Sequence, residues 1–170
     1  MVNTVNEFQQ WHLKLNEMIQ LPEGFQLLDP FVAKKEKDYY HLRWKVLREP
    51  WGQLKGTERD DQEDVSMHRM ILSPSGEVVA CGRLQLNSAA EAQIRYMAVH
   101  PDYRGKNLGA IIIHELESMA LDAGAEQMIL QARENATGFY IACGYSVVIE
   151  TFLLYGSIQH YLMQKSLVNG

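Results

Sequence analysis

Apolar residues recur at helical spacing near the start of the chain. The positions are Phe8, Trp11, Leu15, Met18 and Ile19. This spacing is typical of one face of an amphipathic helix, and the following Pro22 and Gly24 would end it. The pattern therefore predicts a helix over residues 6–20, followed by a short apolar run over residues 25–28.

A second helical pattern covers residues 34–48 and is broken by Pro50 and Gly52. Residues 51–64 then combine two glycines with five acidic residues. This composition favours an exposed loop, which could steer a cationic substrate but is more often simply solvated.

The remaining pattern alternates strands with helices. Strands are predicted over residues 67–72, 78–86, 92–99, 127–132, 145–152 and 161–167, and helices over 108–121 and 136–143. Pro74 and Gly76 suit a tight turn between the first two of these strands, which would form an antiparallel hairpin. The predicted class is α/β of the α+β type.

Composition limits the possible functions. The chain has 170 residues, of which 46% are hydrophobic, enough for one substantial core. Its formal net charge of −5 gives no basic surface for nucleic acid. Two cysteines do not make a disulfide framework, and no stretch has the ~18 apolar residues of a membrane span. These features predict a cytoplasmic protein with neither nucleic-acid nor membrane partners.

Residues 103–110 join a strand end to a helix start, where backbone N–H groups without internal partners attract phosphate. Gly105 and Gly109 allow close approach of a ligand, while Arg104 and Lys106 add positive charge. A plain helix cap uses the same residue types and stays open as an alternative. The spacing matches neither the dinucleotide-binding nor the P-loop glycine pattern.

The segment from Arg104 to Gly109 resembles the acetyl-CoA loop of GNAT-superfamily N-acetyltransferases, Arg/Gln-x-x-Gly-x-Gly/Ala. Asn107 stands at the first glycine, and asparagine tolerates left-handed backbone better than most residues. Residues 95–101 resemble the family's fourth strand, and residues 135–145 resemble its later motif Asn-x-x-Ala-x-x-Phe-Tyr-x-x-x-Gly-Phe/Tyr. The resemblance spans residues 39–167 and is strongest to ElaA-like and YjcF-like bacterial members, although Ser157 and Gln159 depart from their Gly-Ile-Pro-His ending.

The resemblance implies a GNAT-like mixed, mostly antiparallel sheet flanked by helices, and acetyl-CoA as cosubstrate. The implied coenzyme contacts are Met97, Ala98, Val99, Arg104, Gly105, Lys106, Asn107, Leu108, Gly109, Ala110 and Asn135. Asn135 could equally be a helix N-cap. Tyr140 takes the family position of the general acid, although core packing is an alternative. His160 is the candidate general base, and the alternative is an ordinary histidine that is exposed or hydrogen-bonded in the core.

The implied reaction is direct transfer of an acetyl group to the primary amine of a small molecule or protein. A non-catalytic acyl-CoA-binding or regulatory module, or a protein-interaction domain, are the alternatives. No metal is expected, because Ser118 replaces the second histidine of a zinc-protease helix that would begin at His114. We expect residues 1–22 to form a helical extension on the domain of residues 23–170, or to complete a homodimer.

Overall fold

A computed structural model describes residues 19–168, so the predicted N-terminal helix lies outside the described residues apart from its last two positions. The α-helices within residues 19–168 are α1 (Glu36–Leu47), α2 (Leu108–Asp122) and α3 (Thr137–Ala142). Seven strands are β1 (Gln26–Leu28), β2 (Met67–Leu72), β3 (Val78–Leu86), β4 (Glu91–Val99), β5 (Gln127–Arg133), β6 (Ser146–Leu154) and β7 (Ile158–Ser166).

The strands form one sheet in the order β1-β2-β3-β4-β5-β7-β6. Neighbouring strands are antiparallel, except that β4 and β5 are parallel. A parallel pair needs a crossover connection. Helix α2 supplies it and packs against β2, β3 and β4. The mixed, mostly antiparallel sheet flanked by helices confirms the predicted fold class.

Helices cover the two faces of the sheet, and each face has its own apolar core. On one face, Ile112 and Leu116 of α2 pack with Val79 and Leu130, all buried. On the other face, Tyr39 and Leu42 of α1 belong to a second buried group, together with Met70, Leu72, Val78, Cys81 and Ala98. In β2, Ile71 belongs to the first core and its neighbours Met70 and Leu72 to the second, as the pleat requires. We call these the α2 face and the α1 face.

Gly82 of β3 allows α2 to lie close to the sheet. A Cβ atom at this position would lie 2.7 Å from Ile112 Cγ2, 2.8 Å from Met97 Sδ and 2.9 Å from Leu116 Cδ1. Such separations are shorter than van der Waals contact. The missing side chain therefore lets a side chain of β4 pack between the sheet and α2.

The bounds of β2 and β3 are those that the sequence pattern predicts, and those of β4, β5, α2 and α3 agree with it within one residue at each end. The predicted last strand begins at Ile158 rather than at residue 161, so His160 lies within β7 and not before it. Strand β6 is at the edge of the sheet and exposes Val148, Ile149 and Leu153. The predicted extension and homodimer stay untested.

Replacing Gly82 by alanine should lower the free energy of unfolding by about 1–3 kcal/mol, because the added methyl group overpacks the contact with α2. Urea denaturation of purified protein measures the change. Gly138→Ala is the matched control, since no atom lies within 4 Å of the added Cβ atom. This control should leave stability unchanged or raise it by about 0.5–1 kcal/mol. Equal stability of the Gly82→Ala and wild-type proteins would contradict the close approach.

Candidate active site

The parallel pair β4 and β5 separates partway along its length. Pairing runs from Glu91 opposite Gln127 to Ile94 opposite Leu130 and then stops. Residues beyond Ile94 leave a cleft of about 350 Å³ between the strands. The cleft is lined from both faces of the sheet, so two molecules could meet in it from opposite sides.

A bulge in β4 begins where the strands separate. Cys81 of β3 pairs with Ala98, whereas Arg83 pairs with Arg95, so two residues of β4 lie opposite Gly82. One of them, Tyr96, has a left-handed backbone with φ of 53°. A non-glycine residue in this region is strained unless its surroundings hold it there.

Two buried arginines hold the ring of Tyr96. The guanidinium carbon of Arg43 lies 3.8 Å from the ring centroid, and that of Arg83 lies 4.9 Å away. The Tyr96 hydroxyl donates to Asp60 at 3.3 Å. Both arginine side chains are fully buried. These contacts fix the side chain at the strained position and thereby the direction of β4 beyond it.

Carboxylates of residues 51–64, which we call the acidic loop, neutralise the two arginines. Glu63 accepts from Arg43 at 2.7 and 2.9 Å and from Arg83 at 2.8 Å. Asp60 accepts two further hydrogen bonds from Arg83. Burial alone would raise the pKa of Asp60, but the bonds from Arg83 outweigh it and lower the pKa to about 2. Both carboxylates are thus ionised at neutral pH.

The interpretation of residues 51–64 as an exposed loop is wrong for Glu58, Asp60 and Glu63, whereas Asp61 and Asp64 are exposed as predicted. Glu58 and Glu63 are buried, and short 3-10 helices cover Glu49–Trp51 and Glu63–Val65. The charges of Asp60 and Glu63 face Arg43 and Arg83 rather than solvent. These two carboxylates therefore cannot serve as a surface that steers cations, because their positive partners already neutralise them.

The loop before α2 has the backbone shape of a phosphate cradle. Gly105 has φ of 79°, and Asn107, the N-cap residue of α2, has φ of 61° and ψ of 14°. The asparagine thus adopts the left-handed conformation that a glycine would take. The first N–H groups of a helix have no partner within the helix. Leu108, Gly109 and Ala110 supply such groups at the N-terminus of α2.

The unpaired edge of β4 presents backbone groups to the cleft. His100 N donates to Val79 O of β3 at 2.8 Å. Successive residues of a strand direct their backbone groups to opposite edges. Val99 and, two residues earlier, Met97 therefore direct their groups toward the cleft, whereas Ala98, opposite Cys81, directs its groups toward β3. Gly109 lies next to the side chains of Phe139 and Val99. A Cβ atom at this position would lie only 3.0 Å from the Phe139 ring.

Tyr140 lines the cleft from α3 on the α2 face. Its side chain is buried against Phe139 and Tyr145, with ring centroids 5.1 and 6.0 Å apart. Burial raises the pKa of Tyr140, so the phenol keeps its proton. Burial likewise raises the pKa of the neighbouring Cys143 thiol to about 11, which argues against a cysteine nucleophile.

His160 lines the same cleft from β7 and stacks on Phe152, with centroids 4.5 Å apart. Burial lowers the pKa of His160 below 6.5, so the ring is neutral at pH 7. Nδ1 lies 2.9 Å from Ile158 O. A carbonyl oxygen can only accept, so Nδ1 carries the proton and Nε2 keeps a free lone pair. This is the tautomer that a general base requires.

Asn135 lies in the 3-10 helix Glu134–Ala136 with its side chain exposed. The N-cap residue of α3 is Ala136, and no side-chain cap hydrogen bond forms there. The N-cap interpretation of Asn135 is therefore wrong. A coenzyme contact of this side chain stays a prediction.

Three arginines line the cleft that the sequence pattern did not single out: Arg48, Arg95 and Arg133. Arg133 and Gln131 alternate in β5 with the buried Leu130 and Ala132. This alternation was the available signal for a polar face on that strand. It does not reveal that the face borders a cleft.

Within residues 19–168, no three His, Cys, Asp or Glu side chains are grouped closely enough to hold a metal ion. In the same range, no helix combines the length and the apolar character that crossing a bilayer requires.

A model of the acetyltransferase (GNAT) family matches residues 36–145, well over half of the chain. The chain belongs to the GNAT family. It is 30% identical over 137 residues to the uncharacterized N-acetyltransferase YjcF of Bacillus subtilis, covering 79% of this chain and 96% of that one. This similarity agrees with the predicted YjcF-like subgroup and shows that the GNAT protein is an N-acetyltransferase.

Solved structures share the fold of this GNAT protein. The ribosomal-protein-S18-alanine N-acetyltransferase of Escherichia coli has a TM-score of 0.65 at 14% identity, over 86% of this chain and 96% of that one. An aminoglycoside 6'-N-acetyltransferase complexed with coenzyme A has a TM-score of 0.64 at 15% identity, over 86% and 98%. Their acceptors are a protein and an antibiotic, so the shared fold does not determine the acceptor.

Proposed function

We propose that the protein transfers an acetyl group from acetyl-CoA directly to a primary amine. The observation that carries this proposal is the placement of Tyr140 and His160 on one cleft, next to the open edge of β4. One residue keeps a proton to donate, and the other keeps a lone pair to accept one. A cytoplasmic location is part of the proposal, on the sequence alone.

Acetyl-CoA would approach from the α2 face. In this proposal the N–H groups at the start of α2 and the cations Arg104 and Lys106 bind the pyrophosphate, because the helix dipole and these charges favour an anion. The backbone of Met97 and Val99 would pair with the pantetheine arm as an added strand does. Asn135 would contact the same arm.

The chemical step needs two proton movements. The amine nitrogen attacks the thioester carbonyl carbon, the carbon–sulfur bond breaks, and the products are an amide and free CoA. His160 Nε2 would take the proton that the amine loses, and Tyr140 would protonate the departing sulfur. A backbone N–H group at the edge of β4 would bind the developing oxyanion. No covalent enzyme intermediate is required.

A non-catalytic acyl-CoA-binding module with the same fold is the second candidate. The left-handed Asn107 leaves the coenzyme loop intact, so binding alone would look the same in this region. The neutral states of Tyr140 and His160 favour the enzyme, because simple binding uses neither proton. For the enzyme, the proposed acceptor is the primary amine of a small molecule or of a protein.

Calorimetric titration of purified protein with acetyl-CoA and with free CoA should show saturable binding. Arg104→Ala should weaken both affinities about 10-fold or more, because it removes charge-assisted contacts to phosphate. Asn107→Gly should stay within about 3-fold of wild type, since both residues adopt this backbone. Lys37→Ala, at an exposed lysine of α1, is the matched control. Absence of binding to folded protein would favour the protein-interaction alternative.

Tyr140→Phe should lower kcat about 100-fold, because the leaving thiolate loses its proton donor. The dissociation constant for acetyl-CoA should change less than about 2-fold. Release of the CoA thiol, followed with a thiol reagent, measures the rate. Tyr161→Phe removes the same hydroxyl from a residue outside the cleft and should be silent. An unchanged kcat in Tyr140→Phe would assign the tyrosine to packing alone.

The rate should depend on pH through His160. A base must be neutral to accept a proton. The slope of log(kcat/KM) against pH should therefore increase only below pH 6.5, where the lowered pKa of His160 lies. The slope should rise from about 1, set by the amine, toward about 2. His160→Gln should remove the steepening and lower the rate at pH 7.5 about 100-fold. Steepening that survives in His160→Gln would identify a different base.

A further inference from the structure

The two sides of the cleft differ in charge. On the α2 face, the side chains of Met97, Leu130 and Tyr140 line it without a formal charge. On the α1 face, three guanidinium groups line it, those of Arg48, Arg95 and Arg133. No aspartate or glutamate is among the lining residues in the part of the chain that the structure describes.

Arg48 and Arg133 are brought together by one carbonyl oxygen at the end of α1. Arg133 Nη2 donates to Leu47 O at 3.0 Å, and Arg48 Nη1 donates to the same oxygen at 3.2 Å. Two cations that share one neutral acceptor lie close enough to repel each other. Burial first, and then the charge of Arg48, lower the pKa of Arg133.

Carboxylates neutralise Arg95 only in part, and they do not neutralise Arg48 or Arg133. Asp60 lies 3.8 Å from Arg95 and is already bound by Arg83. Neither Arg48 nor Arg133 forms an ion pair within residues 19–168. The carboxyl-terminal end of α1 compensates them with less than a full charge.

We infer that the acceptor is a small primary amine that also carries an anionic group, a carboxylate or a phosphate, which binds Arg48 and Arg133. The inference rests on the proposed function and adds the substrate class. An anion at this position would complete the pairing that two unneutralised guanidinium groups lack, and guanidinium planes bind carboxylate and phosphate through paired hydrogen bonds. Polyamines and other wholly cationic amines would be repelled.

The register of the sheet is compatible with a small acceptor. Arg133 of β5 is the direct partner of His160 of β7. Cβ atoms of directly opposed residues in antiparallel strands lie about 5 Å apart. An amine whose proton goes to His160 and an anion bound at Arg133 would therefore lie on the same face of two neighbouring strands. One small molecule that carries both groups can reach both side chains.

A purely structural role for the arginines is the alternative. Capping of α1 accounts for the bonds to Leu47 O, and Arg48 Nε also donates to Thr57 O at 2.9 Å. For Arg133 these contacts use a single N–H group, and a guanidinium has several more to offer. A neutral side chain could cap the helix equally well without placing a second charge beside the first.

The test compares matched acceptors at saturating acetyl-CoA. Phosphoethanolamine is paired with ethanolamine, and β-alanine with β-alaninamide, and the release of CoA gives kcat/KM for each. We expect the member of at least one pair that carries the anionic group to have a kcat/KM about 10-fold or more above that of its partner without this group. The pair that shows the preference identifies phosphate or carboxylate as the anion. Equal or lower kcat/KM for both members that carry the anionic group would overturn the inference and leave the acetyltransferase proposal standing.

Variants then assign the preference to the arginines. Arg133→Gln should abolish the preference for the acceptor with the anionic group while changing kcat/KM for its partner without that group less than about 3-fold, and Arg133→Lys should restore part of the preference. Arg69→Gln is the charge-matched control, because Arg69 is on β2, pairs with Glu115 of α2 and lies outside the cleft. Equal losses in Arg133→Gln on acceptors with and without the anionic group would mean a structural role and overturn the inference.

A binding measurement separates failure of this inference from failure of the acetyltransferase proposal. Inorganic phosphate and acetate are titrated into the protein while the Nε–H NMR signals of Arg48 and Arg133 are followed, with and without saturating CoA. Saturable shifts that persist with CoA and disappear in Arg133→Gln would support the anion site even if no amine is acetylated. Shifts absent for both anions would overturn it even if acetyl transfer is observed.

Discussion

Arg43 and Arg83 lie beneath the bulge of β4 without access to solvent, and a buried unpaired charge costs several kcal/mol. The sheet can fold around them only if the acidic loop docks and supplies Asp60 and Glu63. Once the loop is docked, the same guanidinium groups hold the ring of Tyr96 and so stabilise its strained backbone. Because the bulge redirects β4, the separation from β5 and the cleft depend on this ion-pair cluster.

The cluster also explains why some of the architecture was readable from the sequence and some was not. Strands β2 and β3 were predicted with their observed ends, because alternation and turn residues are local signals. The partners of Arg43 lie 15 to 20 residues away in a segment whose composition is that of an exposed loop. Local composition does not record which charges will meet in the interior.

The candidate site divides in the same way. The loop over residues 104–110 follows a spaced pattern, and its left-handed asparagine is compatible with what that pattern requires. Arg48 and Arg133 meet because Arg133 of β5 donates to the carbonyl oxygen of Leu47 at the end of α1, and these two residues are 86 positions apart. No spacing rule covers such a pair. His160 was recognised as a residue type, but its tautomer depends on a hydrogen bond to Ile158 that appears only in the folded strand.

The separation of β4 from β5 has a consequence for how such a protein can evolve. The residues proposed to bind the coenzyme lie within residues 97–110 and at Asn135, whereas Arg48, Phe152 and His160 come from the end of α1 and from the last two strands. Under the proposed function, a substitution on the α1 face can alter which amine is accepted without touching the loop proposed to bind the acetyl donor. Gene duplicates could therefore diverge in substrate while inheriting an unchanged donor site.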